Sequence, residues 1–138
     1  MVYFLRPPIK LPKAIKNKLD RVTRICDASG YPFNLFIEGS YAAGHADSHS
    51  DIDLCLVVPK KLYNPGRLRI GKSLKKFKGV IRVLDFGEEM GHPGYHYCYV
   101  IFKKLGPYKI FDICIVPAGK KVYRGQQVLY SSSTGPRA

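Results

Sequence analysis

The sequence is short of long apolar runs and of acidic residues, and each shortage excludes a class of protein. No apolar stretch approaches the roughly 20 residues that a membrane-spanning helix needs. Lys and Arg number 23 against 10 acidic residues, which gives the 138-residue chain a net charge of +13. A basic field of this size attracts polyanions. We therefore expect nucleotides or nucleic acid as partners, and no membrane.

Paired cysteine spacings and the pattern of a cleavable signal peptide are also missing. Cys26, Cys55, Cys98 and Cys114 lie singly in apolar segments, so we expect buried free thiols rather than disulfides. The apolar start of the chain is interrupted by Arg6 and prolines, and no small-residue cleavage site follows. Together these features predict an intracellular, cytoplasmic protein.

The sequence contains no P-loop, no Rossmann glycine pattern and no Ser-His-Asp or Cys-His catalytic order.

Two groups of residues have side chains that could bind zinc. The first is His92, His96 and Cys98, and the second is His45, Asp47 and His49. The spacing argues against both. His92 and His96 would share a face only on a helix, and the glycines and proline of segment 91–94 disfavour one.

Length and composition predict one globular domain over 1–130, followed by a flexible tail over 131–138. Apolar periodicity predicts helices over 12–28 and from 64–66 to 78, and strands over 35–38, 51–58, 80–86, 95–102 and 109–116. Segment 122–130 fits either a helical turn or an edge strand. The first helix should bury an apolar stripe of Ile15, Leu19, Val22 and Cys26. The second helix should bury a stripe of Ile70, Leu74 and Phe77.

The stretch over 35–58 places a Gly-Ser turn and an Asp-x-Asp pair between two apolar runs. Side chains alternate along a strand, so Asp51 and Asp53 point to the same face. Two adjacent carboxylates repel each other unless a cation lies between them. The usual cation is a hard divalent ion that also holds substrate phosphates. The pair therefore predicts a metal site.

Asp112 is a lone carboxylate in the apolar run YKIFDICIV. Burying an unpaired charge is costly, so such a residue indicates a functional site and is the natural third metal ligand. Asp85 is the competitor for this role, although it lies nearer the end of its strand. The structural alternative is a core Asp112 that is satisfied by Arg82 or by a tyrosine hydroxyl.

This central stretch resembles the signature of the nucleotidyltransferase superfamily that includes DNA polymerase beta. The matching residues follow the signature without a gap, and they are Gly39, Ser40, Ala42, Gly44, Ala46, Ser50, Asp51, Ile52, Asp53 and Leu54. The resemblance implies a minimal nucleotidyltransferase domain of the α+β class, in which helices flank a short mixed sheet as an α/β sandwich. It also implies an enzyme that transfers a nucleoside monophosphate from a nucleoside triphosphate to an acceptor hydroxyl and releases pyrophosphate.

The resemblance further implies site residues and cofactors. Two Mg²⁺ ions, for which Mn²⁺ can substitute, would be held by the catalytic carboxylates Asp51, Asp53 and Asp112. The nucleotide would be bound by Gly39, Ser40 and Ser50. The chain departs from many relatives at Tyr41 and Ala43, where those proteins carry basic residues, and this departure concerns triphosphate or acceptor binding.

Two further patterns bear on the acceptor. Arg69, Lys72 and Lys76 recur at helical spacing and predict a basic ridge for nucleic acid, although a charged run can also be a solvated face. Alternating tyrosines at 95, 97 and 99 suit either base stacking or, more commonly, a half-buried sheet.

The chain shows no separate acceptor-binding domain, so we expect a second copy in a homodimer or a helical partner protein to supply the acceptor site. Two alternatives stay open. One is a non-catalytic nucleic-acid-binding module that retains the fold, and the other is a toxin–antitoxin type minimal nucleotidyltransferase that acts with a helical partner.

Overall fold

One mixed sheet organises the part of the chain that the computed structural model describes, which comprises residues 9–47, 50–80, 82–88, 93–102, 109–120 and 127–131. The elements in chain order are α1 (Lys13–Ala28), β1 (Asn34–Glu38), α2 (Gly39–Ala43), β2 (Ile52–Val58), a 3₁₀ turn (Lys60–Leu62), α3 (Tyr63–Lys75), β3 (Arg82–Gly87), β4 (His96–Phe102), β5 (Lys109–Pro117) and β6 (Gln127–Ser131).

The six described strands lie in the order β3-β4-β5-β2-β1-β6. β2 and β5 are parallel, and the other neighbouring strands are antiparallel. The α+β class is therefore confirmed. Of the segment predicted as a helical turn or an edge strand, residues 127–130 form an edge strand beside β1 that extends to Ser131, and residues 122–126 lie outside the described residues. The rest of the predicted tail lies outside the described residues.

α1 and α3 cover one face of this sheet. The predicted stripes are buried as expected, since Ile15, Leu19, Val22 and Cys26 of α1 and Ile70, Leu74 and Phe77 near the end of α3 all belong to the main core. Fully burying one such leucine stabilises the fold by about 2 kcal/mol. No helix in the described ranges is long and apolar enough to cross a membrane.

A smaller apolar cluster lies on the opposite face of the sheet and contains Cys55, Cys114 and Val116. Tyr95 and Tyr97 pack against it and Tyr99 is half-buried too, so the half-buried-sheet interpretation of these tyrosines is confirmed. All four cysteines are buried free thiols, as predicted. Burial raises the pKa of Cys114 to about 12, which keeps this thiol protonated and unreactive.

Candidate metal and nucleotide site

Carboxylates on three adjacent strands form a row on the face opposite α1 and α3. Asp53 of β2 is the direct neighbour of Asp112 on β5 and of Glu38 on β1. Tyr99 of β4 is opposite Asp112 and ends the row. Directly opposed residues of a sheet point to the same face, so the side chains of this row are neighbours. Asp51 is exposed and lies immediately before β2.

The row is electrostatically unfavourable as it stands. Burial raises the pKa of Asp53 to about 6, with further contributions from Glu38 and Asp51. Burial also raises the pKa of Asp112 to about 6, followed by the charges of Asp53, Asp51 and Glu38. Apart from burial, the charged neighbours that raise these two pKa values within the described part of the chain are carboxylates. The site thus concentrates negative charge and offers oxygen ligands, the combination that hard divalent cations prefer.

Gly39 allows the carboxylate of Asp53 to lie against the junction of β1 and α2. A Cβ atom on Gly39 would be 2.2 Å from Asp53 Oδ2, and the backbone φ of +70° favours glycine as well. Gly39 and Ser40 begin the short helix α2 instead of forming the simple turn that the sequence predicted. The consequence is that a predicted metal ligand and predicted nucleotide-binding residues lie side by side.

Ser50 has a local structural role. Its hydroxyl accepts a hydrogen bond from the Asp47 backbone N–H at 2.9 Å and donates one to Asp47 Oδ1 at 3.2 Å. These bonds join Ser50 to Asp47, directly before Asp51. Its predicted contact with the nucleotide stays a prediction.

Asp85, the competitor for the third carboxylate, lies on the face that α3 covers. It is opposite Cys98, and its Oδ1 atom lies 2.7 Å from Nε2 of His96. Burial raises the pKa of Asp85, but hydrogen bonds from the Gly87 N–H and His96 and the charge of Lys75 bring it below its ordinary value. Asp112, not Asp85, is therefore the carboxylate beside Asp53.

Asp85, His96 and Cys98 form a second group of metal-ligand types, with ligand atoms within 4.8 Å of one another. The sequence grouped His96 and Cys98 with His92, which lies outside the described residues, and it missed Asp85. Pairing between β3 and β4, which a single strand's spacing does not encode, supplies the third member.

Hydrogen bonding in this second group opposes metal binding. Arg67 Nη1 lies 3.1 Å from Nδ1 of His96 and can only donate, so Nδ1 accepts and Nε2 carries the proton. Nε2 then donates to Asp85, and its lone pair is not free for a metal ion. Burial and the nearby Asp85 raise the pKa of Cys98 and disfavour its thiolate. The group acts as a hydrogen-bonded network.

The same network attaches α3 to the edge of the sheet. Arg67 also pairs with Glu88 at 3.3 Å, and the Tyr63 hydroxyl donates to Glu88 at 2.9 Å. A Cβ atom on Gly71, in the interior of α3, would be 2.6 Å from Asp85 Oδ2. Glycine in a helix interior costs about 1 kcal/mol, so its presence here makes room for the buried carboxylate.

The predicted basic ridge lies on the solvent side of α3. Arg69, Lys72 and Lys76 are all exposed, although α3 ends at Lys75 and Lys76 follows it as the cap residue. Lys75 is not part of the ridge because it pairs with Asp85 at 3.8 Å. Because α3 ends at Lys75, the predicted helix, which continued to residue 78, was too long.

The sequence reasoning missed Glu38 as a member of the carboxylate row. Its signal was an acidic residue at the end of an apolar strand, directly before the Gly-Ser pair. Only the pairing of β1 with β2 places it opposite Asp53.

Comparison with known proteins assigns the chain to a family. The model of the nucleotidyltransferase domain family matches residues 19–115, which is more than half of the chain. That span contains Gly39, Ser40 and the carboxylate row. A search of curated proteins finds no match. By the family match, the chain belongs to the nucleotidyltransferase domain family.

Proposed function

We propose that this protein is a metal-dependent nucleotidyltransferase that transfers a nucleoside monophosphate from a nucleoside triphosphate to an acceptor hydroxyl. The observation that carries the proposal is the in-register placement of Asp53 beside Asp112, with Gly39 at the side of Asp53. Family membership supports a transferase, and the charge of the carboxylate row supports metal dependence.

The residues of the site fit Mg²⁺. Half-buried carboxylates whose pKa values are raised by burial and by one another become more stable as anions when a divalent cation is near. Asp51 and Asp53 would hold one ion, and Asp112 would share in holding a second. When bound, the ions would neutralise charge on the triphosphate and lower the pKa of the acceptor hydroxyl.

The chain's own residues would bind the substrate and accept a proton. The Gly39-Ser40 segment would hold the β- and γ-phosphates through backbone N–H groups and the Ser40 hydroxyl. The acceptor oxygen forms a bond to the α-phosphorus while the bond to the bridging oxygen breaks, and pyrophosphate leaves. Asp112 would take the proton of the acceptor hydroxyl as general base.

We further propose that the acceptor is nucleic acid. The net charge of +13 exceeds what one triphosphate requires, and the ridge residues Arg69, Lys72 and Lys76 are exposed along α3 and directly after it. Basic side chains at successive helical turns suit contacts with backbone phosphates.

The direct test uses nucleoside triphosphates labelled at the α-phosphate, incubated with RNA and DNA oligonucleotides, Mg²⁺ and the purified full chain. We expect label transfer to an oligonucleotide and stoichiometric pyrophosphate release, both abolished by EDTA and by Asp53→Asn. Metal-independent oligonucleotide binding without triphosphate binding would instead favour a non-catalytic nucleic-acid-binding module. Transfer to protein only would support the enzyme but overturn the nucleic-acid acceptor.

A further inference from the structure

Tyr99 and Phe86 form an aromatic pair beside the carboxylate row. Tyr99 is directly opposite Asp112 in the pairing of β4 with β5. The register of β3 with β4 shifts between Asp85 and Gly87, so Phe86 lies in an irregularity of the edge strand β3. Such a bulge changes the direction of a side chain. The ring of Phe86 meets that of Tyr99 edge to face, with the ring centroids 5.2 Å apart and an interplanar angle of 75°.

Tyr99 differs from the two tyrosines that precede it at alternate positions. Tyr95 and Tyr97 pack against the small apolar cluster around Cys114. Tyr99 is not part of that cluster, and its side chain is half-buried. The ring is therefore positioned by Phe86 and keeps accessible surface next to the carboxylate row.

The aromatic pair lies on the side of the site from which the acceptor would approach. In the proposed mechanism, Gly39 and Ser40 at the end of β1 would hold the triphosphate, and pyrophosphate would leave toward them. The attacking and leaving oxygens of a phosphoryl transfer are roughly in line. The acceptor would therefore reach the α-phosphorus from the opposite side, and the sheet order places β5, β4 and β3 on that side of β2.

An exposed cation borders the aromatic pair. Val83 packs against the main core, so its neighbours Arg82 and Leu84 alternate onto the carboxylate face. Leu84 is opposite Tyr99, and Arg82 is opposite Ile101, which makes Arg82 a diagonal neighbour of Tyr99 within reach of a long side chain. Arg82 is exposed and forms no ion pair with another described residue.

We propose that Tyr99 and Phe86 stack against the terminal base of the nucleic-acid acceptor and that Arg82 binds the adjacent backbone phosphate. Aromatic rings with a neighbouring arginine are the groups that bind single-stranded nucleic acid. The basic ridge of α3 lies on the opposite face of the sheet, so it cannot hold the end of the acceptor at Asp112. The inference rests on the proposed function, because it assigns contacts to the acceptor of that reaction.

Tryptophan fluorescence tests the stacking directly, because the chain contains no tryptophan. Tyr99→Trp introduces a single emitter and keeps a flat aromatic ring. A single-stranded oligonucleotide is added without triphosphate, and its binding is followed in parallel by the anisotropy of a dye at its 5′ end. Binding should quench the emission, and the same oligonucleotide with an abasic 3′-terminal nucleotide should quench it much less. The matched control is Tyr95→Trp, whose emission should change little because Tyr95 packs against the apolar cluster.

Oligonucleotide affinity gives a second readout. Tyr99→Leu keeps an apolar side chain but removes the flat ring, and it should weaken binding about tenfold. Tyr99→Phe should restore the affinity, whereas Tyr95→Leu should bind like the wild type. Arg82→Ala should reduce the log–log salt slope by about 1 unit. Affinities that simply followed the melting temperatures of the three tyrosine variants would indicate packing and overturn the stacking role.

The outcomes separate this inference from the proposed function. Oligonucleotide binding that leaves the emission of Tyr99→Trp unchanged, or quenches both tryptophan variants equally, would overturn the inference alone. Quenching as expected, without label transfer to any acceptor by the wild type, would overturn the proposed function alone. Absence of oligonucleotide binding would overturn the nucleic-acid acceptor and this inference together. If Tyr99→Trp does not fold, Phe86→Trp is measured by the same criteria.

Discussion

Asp85 and Asp53 lie on opposite faces of one sheet, and each is half-buried within a strand. The groups around Asp85 are donors and cations, whereas those around Asp53 are carboxylates. Asp85 is met by His96 and Lys75, with the backbone N–H of Gly87 as a further donor. Asp53 is met by Glu38 on one side and by Asp112 on the other. The net effect lowers the pKa of Asp85 and raises that of Asp53 to about 6.

The difference teaches how to separate a structural carboxylate from a functional one. Where the fold supplies donors and cations, the carboxylate stabilises the native state, and Asp85 is of this kind. Where the fold supplies further carboxylates, the native state is less stable than it could be, and an external cation is the natural compensation. Each prediction below tests one side of this comparison.

The largest expected effect is that of Asp53→Asn, or of Asp51→Asn, on nucleotidyl transfer. Each change removes the charge of a proposed metal ligand without altering the size of the side chain, so transfer should be abolished while the fold is retained. Without metal, the melting temperature of Asp53→Asn at pH 8 should be unchanged or slightly raised, because repulsion is relieved. That gain should shrink as the pH falls below about 6, where Asp53 becomes protonated in the folded wild type, and should vanish below the unfolded value of about 4. A radiolabel transfer assay measures the activity, and calorimetry measures the melting temperature. Wild-type metal-dependent triphosphate binding by the double variant Asp51→Asn/Asp53→Asn would contradict the assignment of these residues as metal ligands.

Asp112→Asn should slow transfer by orders of magnitude yet keep much of the triphosphate binding. The reason is that, in the proposed mechanism, Asp51 and Asp53 would hold the ion that contacts the nucleotide, whereas Asp112 would act on the acceptor hydroxyl. Asp85→Asn is the matched control and should change transfer little. Single-turnover rates and equilibrium nucleotide titrations of both variants decide the point, and an exchange of their phenotypes would show that the third carboxylate has been placed wrongly.

Gly39→Ala should impair both transfer and stability, because its Cβ would be 2.2 Å from Asp53 Oδ2. The control is Gly30→Ala, since Gly30 has a similar φ of +85° but no atom within 4 Å of the added Cβ. Both variants carry the strain of a left-handed backbone, about 1 to 2 kcal/mol. We expect only Gly39→Ala to lose activity. Equal losses in transfer rate would mean that the contact with Asp53 is unimportant.

The sequence was most informative where one segment holds all the needed signals. The strand, Gly-Ser and Asp-x-Asp order of residues 35–58 predicted the family, and helical periodicity predicted the stripe of α1, with its boundary off by one residue. Asp112 was identified as a candidate because it is the lone carboxylate in an apolar run, before its neighbours in the sheet were known. These are local or near-local features.

What the sequence could not predict depends on contacts between distant segments. The place of Glu38 opposite Asp53 depends on antiparallel pairing, and the grouping of Asp85 with His96 depends on the register of β3 with β4. The end of α3 at Lys75 was overestimated because apolar spacing continues to Phe77, which is buried beyond the helix. Residue type and spacing alone do not determine which face a carboxylate occupies.

Asp85→Asn should lower the free energy of unfolding by about 1 kcal/mol at pH 7. The folded pKa of Asp85 is depressed, so its contribution is present above the unfolded value of about 4 and is lost as the pH falls through the folded value. The difference between wild type and variant should therefore shrink below pH 4. Urea unfolding across pH measures it. A difference that grew on acidification would contradict a structural role for this carboxylate.

The smallest expected effect concerns the basic ridge on α3, which is proposed to bind the acceptor and does not include the carboxylate row. Replacing Arg69, Lys72 and Lys76 with alanine should weaken oligonucleotide binding and reduce the log–log salt slope by about 2 to 3 units, if all three side chains contact backbone phosphates.

A second triple variant removes the same charge from a different surface and so isolates the ridge from net charge. Lys13, Lys16 and Arg24 are exposed on α1 and suit this purpose. Fluorescence anisotropy with single-stranded and duplex oligonucleotides across salt should show a clear slope change for the α3 variant and a smaller one for the α1 variant. Triphosphate affinity should stay near wild type in both, because neither surface includes Gly39 or the carboxylates. Equal slopes for the two variants would assign nucleic-acid attraction to the overall field of the molecule rather than to this ridge.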